Sequence, residues 1–373
     1  MKSLRIAHCE SSLNMGGQEL RILDLIEQQS LRGHQVMLLA RAESAIFQEA
    51  KARHLRVHHV DFSNSFNLAG LSALTYRVIR HSIDVLDCHS FRDAALSIWM
   101  KALGCKVVWS IFTSKFYKRD RAHQLQWRLG PHATIAASEH IKQTLIEAYR
   151  INPQSITVIG EAVDLKRFSA SDELTQQGKA IRKRWEIPDA APLIIQVGMI
   201  RPDKQQTFTV EAMEIIWQRF PDAFLIFVGE ATQPRFREEL EKKIQGSSRA
   251  HQIKITGFER DPRCYYAAAD IVALASQAEA RSRVIAEAQA MGCLVVAPKV
   301  GGIPEVIEDE KNGFLYPAGS AKELARRILY VFALDVEKRK RVCSTARAWA
   351  MENASLEAQY QATIAVYQKV LNQ

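Results

Sequence analysis

The feature that most restricts the fold of this chain is a regular alternation of short, unbroken apolar runs with longer stretches of helical periodicity. Apolar runs without alternating polar residues are typical of parallel strands that are buried on both faces of a sheet. Helices between such strands then cover the sheet on both sides. The runs form two series, residues 4–9, 35–40, 85–89, 106–111, 133–137 and 156–159, and residues 193–197, 223–228, 252–256, 270–275 and 294–297.

A polar stretch between about residue 165 and residue 192 separates the two series and contains Pro188 and Pro192. We therefore predict two Rossmann-like, doubly wound α/β domains at residues 1–168 and 192–350, a linker at 169–191 and a final helical segment at 351–373. Ligands of such sheets bind beyond the carboxyl ends of the strands. The cleft between two facing domains is therefore the predicted active site.

The chain of 373 residues has a net charge of +9, which is distributed unevenly. Residues 1–168 hold 22 Lys and Arg against 15 Asp and Glu, and the remainder holds 28 against 26. A basic domain next to a nearly neutral one indicates an anionic partner, which is a nucleic acid, an anionic membrane surface or a phosphorylated acceptor. Ordinary solvated charge explains the same excess, so charge alone leaves these interpretations open.

Several features of the sequence predict a cytoplasmic location. No apolar stretch approaches the ~20 residues that a membrane-spanning helix needs. The first residues form too short an apolar run for a signal peptide. The six cysteines are scattered without a CxxC pair, which predicts reduced core thiols rather than disulfides or a zinc site.

Two loops that follow predicted strands carry residues suited to binding phosphate. Gly16 and Gly17 separate the first strand from a helix, so the backbone there can approach a ligand at a positively polarised helix end. A tight turn would use the same glycines. Arg201 and Lys204 follow strand 193–197, where two cations can hold a dianionic leaving group without a metal. A solvated loop is the alternative there.

The most informative stretch contains Glu279 and Glu287. On one continuous helix, two residues at this spacing lie ~80° apart around the axis and cannot both face one ligand well. We therefore predict that Glu279 lies in a loop and Glu287 within the following helix. The helix start at Ser282, Arg283 and Val284 would then add backbone N–H groups for a phosphate. Two solvated glutamates are the alternative on physical grounds alone.

Residues 276–317 resemble the donor-site region of GT-B glycosyltransferases of family 4, also called glycosyl transferases group 1. The family's motifs occur in order: the E-x7-E pair Glu279 and Glu287, a small-residue helix that ends in glycine, a V-V-A strand, G-G-x-P-E at 301–305 and N-G-F-L at 312–315. The glycine pair followed by Glu19, the R-G-H-x-V run at 32–36 and Lys204 resemble further motifs, so the resemblance spans essentially the whole chain.

The resemblance implies a GT-B fold, with an acceptor-side first domain, a donor-binding second domain and a final helix, about residues 356–371, that crosses back to the first domain. It also implies the retaining transfer of a sugar from a UDP-, GDP- or ADP-linked donor to a hydroxyl of a glycan or lipid-linked acceptor. Neither a metal nor a cofactor is expected. The expected role is cell-envelope or surface polysaccharide synthesis of the lipopolysaccharide type.

The resemblance also implies roles for individual residues. Glu287 would bind the ribose hydroxyls, and Glu279, with the nearby amides at 282–284, would bind the transferred sugar. Lys204 would bind the diphosphate, and Phe258 would lie near the base.

Three positions depart from the family's pattern. Met199 stands where the family usually has an arginine, and Arg201 is the candidate replacement because a guanidinium can reach a diphosphate from a neighbouring turn. Residues 280–282 are Ala-Arg-Ser where Gly-Phe-Gly is frequent. Phe112 stands where many members have a histidine, which leaves His89, at a strand end, as the candidate on the acceptor or sugar side. A structural histidine is the alternative for His89.

Residues 115–121, with Trp127 and Arg128, mix cations with aromatic side chains. This composition suits an anionic lipid surface or a lipid-linked glycan, which would place the protein peripherally on the inner face of the cytoplasmic membrane. A solvated helix with one buried face is the alternative.

Two rival functions belong to other classes. A nucleotide-sugar epimerase on the same fold would convert the donor without any acceptor. A basic nucleic-acid-binding protein would explain the net charge, but the sequence has no recognisable recognition helix or aromatic RNA platform, so no nucleic-acid partner is expected.

Overall fold

The computed structural model describes residues 3–114 and 120–373. The chain divides into two compact units, one formed by Met1–Ala162 with Leu356–Gln373 and the other by Val163–Ser355. Each unit is built on a parallel sheet, as the unbroken apolar runs predict. All six cysteines are free thiols.

The first unit contains a seven-stranded sheet whose strands all pair in parallel. Its elements are β1 (Arg5–Glu10), α1 (Gly17–Leu31), β2 (Gln35–Ala40), α2 (Ala45–Ala52), β3 (Val57–His59), α3 (Leu68–Arg80), β4 (Val85–Cys88), α4 (Phe91–Ser97), β5 (Lys106–Ile111), α5 (Arg121–Leu129), β6 (Ala133–Ala136), α6 (Glu139–Tyr149) and β7 (Ile156–Val158). The strand order is β3-β2-β1-β4-β5-β6-β7. The order reverses between β1 and β4, so the crevice of this sheet lies beyond the carboxyl ends of these two strands.

The second unit contains a six-stranded parallel sheet in the order β10-β9-β8-β11-β12-β13. Its elements are α7 (Asp172–Arg184), β8 (Leu193–Val197), α8 (Gln206–Ile216), β9 (Phe224–Val228), α9 (Pro234–Gln245), β10 (Ile253–Ile255), α10 (Arg263–Ala268), β11 (Ile271–Ala273), α11 (Arg283–Ala290), β12 (Leu294–Pro298), β13 (Phe314–Tyr316), α12 (Ala321–Ala333) and α13 (Val336–Asn353). Here the order reverses between β8 and β11. The loops after these strands contain Lys204 and Glu279.

The last helix, α14 (Leu356–Leu371), belongs to the first unit, which confirms the prediction of a final helix that returns to the first domain. The Tyr360 hydroxyl lies 2.9 Å from Nε2 of His34. The Tyr367 hydroxyl donates to Oδ2 of Asp87 at 2.5 Å. Both tyrosines are buried, so α14 contributes to the interior of this unit.

The unit bounds differ from the predicted domain bounds, most clearly at the predicted linker, residues 169–191. This stretch contains α7, and Leu174, Ile181 and Ile187 lie in the core of the second unit. Gly178 of α7 faces α10 so closely that a Cβ would lie 2.8 Å from the carbonyl carbon of Ala267. In the sequence, the many charged residues of α7 outnumber the few apolar residues that recur at helical spacing. The stretch therefore resembles a linker, although these apolar residues form a buried face.

Sequence periodicity also missed β3 and β13. Each has only three residues and lies at an edge of its sheet. A run this short shows no distinctive pattern. Among the described residues, the structure has no helix that combines the length and the apolar content needed to cross a membrane.

Candidate functional site

The crevice of the second unit brings together Lys204, Ser276 and Glu279. Lys204 Nζ lies 2.5 Å from Oε1 of Glu279, and the Ser276 hydroxyl donates to the same oxygen at 2.7 Å. Lys204 ends the turn after β8, and Ser276 and Glu279 lie in the loop after β11. The cation and the carboxylate therefore meet at the reversal point of this sheet, where ligands of parallel sheets bind.

A chain of hydrogen bonds from the interior fixes the backbone of Lys204. The Gln196 side chain, from β8, donates to the Lys204 carbonyl at 2.8 Å. Thr209 of α8 donates in turn to Oε1 of Gln196 at 2.6 Å. Gln196 and Thr209 are both buried, so the position of Lys204 is set by the packing of β8 against α8.

The glycine pair Gly301 and Gly302 supports the backbone of Glu279. The Gly302 N–H donates to the Glu279 carbonyl at 3.1 Å. A Cβ on Gly301 would lie 1.9 Å from the same carbonyl oxygen, and Gly301 has a φ of +53°. This G-G-x-P-E turn therefore needs glycine because the Glu279 loop passes directly against it.

Glu287 lies within α11 and Glu279 lies in the preceding loop, as the geometric argument predicts. Oε1 of Glu287 accepts from Nε of Arg283 at 2.9 Å, and Oε2 accepts from the Tyr266 hydroxyl at 2.9 Å. The Glu287 side chain is 8% exposed, so it is not a solvated surface glutamate. Buried carboxylates require partners of this kind.

The helix start predicted to bind phosphate lies at the first turn of α11. Ser282 is the residue before the helix and is buried, and Arg283 and Val284 are its first two helical residues. The first N–H groups of an α-helix have no acceptor within the helix, which makes them suited to an anion.

The side chains of two other predicted residues of this unit, Arg201 and Phe258, have surroundings of their own. Nε of Arg201 lies 2.8 Å from Oδ1 of Asp203 and so forms an ion pair within its own turn. Phe258 is 60% exposed and follows β10, the edge strand of the sheet. Two roles stay predictions: that Arg201 replaces the arginine expected at Met199, and that Phe258 contacts a base.

In the first unit, the loop after β1 surrounds a buried carboxyl group, Glu10. It accepts hydrogen bonds from the Ser12 N–H at 2.7 Å, from the Gln18 side chain at 2.6 Å and from the Ser90 hydroxyl. Burial nevertheless raises the pKa of Glu10 above its usual value. For Glu19, in the first turn of α1, burial and the nearby charge of Glu10 raise the pKa to about 7.

These carboxyl groups lie beside the helix start formed by Gly16 and Gly17. Gly16 has an extended backbone, with a φ of −151° that any residue adopts, so its conformation alone does not require glycine. Ionised carboxylates at this helix start would oppose a bound phosphate, whereas protonated ones would not. A phosphate contact at the glycine pair stays a prediction.

His89 is enclosed by other side chains of the first unit. Its side chain is not exposed, and Nε2 lies 2.9 Å from Nδ1 of His8, whose Nε2 lies 2.8 Å from Oε1 of Gln29. Burial lowers the pKa of His8 and lowers the pKa of His89 well below its usual value. These contacts match the structural alternative, and the catalytic assignment of His89 stays a prediction.

Phe112, which stands where many family members have a histidine, packs against a cation. The Arg21 guanidinium lies 3.4 Å from the centre of the Phe112 ring, and both residues are buried. A cation over an aromatic face is a favourable contact in a dry interior.

His8, Asp87 and His89 have side-chain atoms within 4.8 Å of one another, close enough to hold a metal ion. The two imidazoles hydrogen-bond each other, and Tyr367 donates to Asp87. Burial raises the pKa of Asp87. Hydrogen bonds within this unit therefore account for the cluster, and we assign no metal to it.

The predicted cation-aromatic surface is only partly described, because residues 115–119 lie outside the described residues. Trp127 is 2% exposed, and its ring contacts Trp109 and Tyr149 at centroid distances of 4.8 and 5.1 Å. This corrects the prediction for Trp127, which is a core residue because its ring packs against these two aromatic side chains, whereas Leu125 and Leu129 of the same helix are exposed. Arg121 and Arg128 are exposed, as a surface requires.

Two family models match this chain in succession. The model described as Glycosyltransferase Family 4 matches residues 15–167, and the model described as Glycosyl transferases group 1 matches residues 177–349. The chain belongs to the GT-B glycosyltransferases of family 4. The two matches follow the two parallel-sheet units.

Two curated relatives of this glycosyltransferase are distant in sequence. The sulfoquinovosyl transferase SQD2 of Arabidopsis thaliana is 28% identical over 217 residues, which is 57% of this chain and 40% of that protein. A D-inositol 3-phosphate glycosyltransferase of Segniliparus rotundus is 28% identical over 263 residues, which is 66% of this chain and 57% of that protein. The chain thus matches less than two thirds of the length of either curated relative.

A solved structure shares the fold across nearly the whole chain. HepE of Anabaena, solved in complex with UDP and glucose, superposes with a TM-score of 0.85 and covers 98% of this chain and 99% of its own. Its sequence identity is 22%, so this likeness supports the GT-B fold alone.

Sequence reasoning missed several residues that support the site. Tyr266 lies in the run C-Y-Y-A-A-A, where no pattern distinguishes it from its neighbour Tyr265. Gln196 and Asp87 did carry a signal, because each is a polar residue within an otherwise apolar strand. Such a residue indicates a buried partner.

Proposed function

We propose that this protein transfers a sugar from a nucleotide-diphosphate sugar to an acceptor hydroxyl with retention of configuration. The observation that carries the proposal is the pairing of Lys204 with Glu279 at the reversal point of the second sheet, beside the helix that holds Glu287. A partly exposed cation, a carboxylate and a helix start together match the needs of a diphosphate, a sugar and a ribose.

In this proposal, the chemistry depends on stabilising the leaving diphosphate. Negative charge grows on the diphosphate as the glycosidic bond breaks, and Lys204, Arg201 and the first amides of α11 would offset it. Lys204 would then exchange Glu279 for the diphosphate, which frees Glu279 to accept hydrogen bonds from the sugar. The leaving phosphate would take the proton of the acceptor hydroxyl, so no protein nucleophile is needed.

The donor is expected to be UDP-, GDP- or ADP-linked. The complexes of HepE with UDP and with UDP-glucose favour testing UDP-linked sugars first. The names of the relatives state a sulfoquinovosyl group as the group transferred in one case and D-inositol 3-phosphate glycosyltransferase activity in the other, and neither names a polysaccharide. A role in surface polysaccharide synthesis of the lipopolysaccharide type therefore rests on the family resemblance of the sequence.

We further propose that the first unit binds an anionic membrane surface through an exposed apolar patch, defined as Trp99, Leu103, Leu125 and Leu129. These side chains are 65%, 44%, 57% and 56% exposed. Trp99 and Leu103 lie in the turn that precedes β5, and Leu125 and Leu129 lie on α5. These two segments meet where the Lys101 ammonium donates to the Leu129 carbonyl at 2.6 Å.

Exposed Trp and Leu side chains beside cations are typical of surfaces that insert at the headgroup level of a membrane. Exposed Arg128 adds positive charge to the same helix as Leu125 and Leu129. A lipid-linked acceptor would be presented at such a surface.

The deciding experiment incubates the protein with UDP-, GDP- and ADP-sugars and measures release of the nucleoside diphosphate with and without candidate acceptors. We expect acceptor-dependent release with one base, no loss in EDTA, and an NMR coupling constant in the product that shows retention. Glu287→Ala and Lys204→Ala should each lower turnover by at least about 10²-fold. Conversion of the donor sugar without acceptor or diphosphate release would instead identify an epimerase, and binding of none of the donors would refute the proposal.

A further inference from the structure

We infer that Tyr266 is a positioning residue that orients the Glu287 carboxylate toward the two hydroxyls of a ribose. The inference rests on the proposed donor role of Glu287. Tyr266 lies on α10, outside the E-x7-E segment, and its hydroxyl donates to Oε2 of Glu287 at 2.9 Å.

The hydrogen bonds of Glu287 occupy its two oxygens evenly. Arg283 binds Oε1 and Tyr266 binds Oε2, each at 2.9 Å. An ionised carboxylate accepts about four hydrogen bonds, roughly two on each oxygen. One acceptor position is therefore left on each oxygen, and a pair of neighbouring hydroxyls is the donor set that fits this arrangement.

Tyr266 is held rigidly enough to orient another side chain. It is 1% exposed, and its ring meets the ring of Phe168 edge-on at a centroid distance of 6.3 Å. The Cys293 thiol lies 3.4 Å from the Tyr266 carbonyl oxygen, which ties α10 to the start of β12. Packing therefore fixes both the ring and the backbone of Tyr266.

The phenol of Tyr266 is suited to be a permanent donor. Burial and the negative charge of Glu287 raise the pKa of Tyr266 well above its usual value, so the hydroxyl keeps its proton throughout the physiological range. Without Tyr266, the bond to Arg283 alone would restrain the carboxylate, which could then turn about its Cγ–Cδ bond.

Tyr265 provides a matched control on the same helix. It is also 1% exposed, and its hydroxyl donates to a different glutamate, Glu259, at 2.7 Å. Tyr265→Phe and Tyr266→Phe thus remove the same chemical group, with the same type of partner, from adjacent positions.

The experiment measures binding of a nucleoside diphosphate and of its 2′,3′-dideoxy analogue by calorimetry, using whichever of UDP, GDP and ADP binds the wild-type protein. Tyr266→Phe should weaken binding of the ribonucleotide about tenfold, the usual effect of losing a hydrogen bond to a charged group, and leave the dideoxy analogue almost unchanged. Tyr265→Phe should change both affinities by the same factor.

The outcomes separate this inference from the function on which it rests. Equal weakening of both ligands in Tyr266→Phe would show a merely structural role and overturn the inference. If Glu287→Gln keeps the wild-type preference for the ribonucleotide, Glu287 does not bind the ribose and the inference also fails. If the wild-type protein binds none of the three diphosphates, the proposed function itself fails.

Discussion

The Lys204 ammonium lies 2.5 Å from a carboxylate oxygen of Glu279, although 75 residues separate them in the chain. Their side chains are 21% and 11% exposed, so the pair lies at the rim of the crevice rather than in the core. A partly solvated pair of this kind can exchange partners at little cost. A bound diphosphate would therefore compete with Glu279 for the same cation.

Replacing Lys204 with alanine should lower donor turnover by about 10²–10³-fold, because the leaving group loses its principal cation. The measurement is release of nucleoside diphosphate at saturating acceptor. Lys311→Ala is the control, since Lys311 pairs with Glu308 on the surface, where the side chains are 65% and 66% exposed. Equal turnover in the two variants would contradict the role of Lys204.

Gly301→Ala should destabilise the second unit, because a Cβ would collide with the Glu279 carbonyl at 1.9 Å. Gly319→Ala is the control: its φ is +80°, but a Cβ there would meet no atom within 4 Å. The control should lose about 1–2 kcal/mol of unfolding free energy from backbone strain alone. Urea denaturation should show a loss at least about 2 kcal/mol larger for Gly301→Ala. Similar losses of unfolding free energy in the two variants would mean that the Glu279 loop moves away from residue 301 without cost.

The pKa of Glu19 predicts a specific pH dependence. A carboxyl group whose pKa is raised on folding, from 4.5 to about 7, stabilises the folded state at low pH and loses that contribution as the pH rises between these values. Glu19→Gln should remove this contribution to the fall of the unfolding free energy with pH, which is about 1.4 kcal/mol per pH unit at most. Unfolding free energies of both proteins between pH 5 and 8 test it, and parallel curves would refute the shift.

The exposed apolar patch should govern membrane binding. Trp99→Ala with Leu125→Ala should reduce flotation with vesicles that contain anionic lipid, because less apolar area inserts at the headgroup level. Leu31→Ala is the control, since Leu31 is 79% exposed on α1. Salt should weaken the binding of the wild-type protein. Unchanged flotation of the double variant would exclude this patch as the contact.

Tyr367→Phe should lower the stability of the first unit by about 1–3 kcal/mol, because Asp87 loses a buried hydrogen-bond donor. Thermal or urea unfolding measures this loss. Tyr76→Phe serves as the control, since Tyr76 is 57% exposed on α3 and should be nearly neutral. A neutral Tyr367→Phe would show that Asp87 has another sufficient partner.

The sequence predicted the two sheets because their buried strands read as continuous apolar runs, and β2, β5 and β8 begin and end at the predicted residues. The loop-plus-helix placement of Glu279 and Glu287 followed from helical geometry. The Tyr266 and Gln196 contacts depend on residues 21 and 8 positions away from their partners, so only the folded chain shows them. The enclosure of His89 and Trp127 depends likewise on packing, which local composition does not report.

The position of α14 has a consequence for how the protein is made on the ribosome. The first unit needs Tyr360 and Tyr367 in its interior, but these residues are translated only after the whole of Val163–Ser355. At ordinary elongation rates of about 5–20 residues per second, the nascent first unit waits on the order of 10–40 seconds with the surface for α14 uncovered. The later-synthesised unit can thus finish folding first, and a nascent chain that stalls before α14 would expose His34 and Asp87 to cellular quality control.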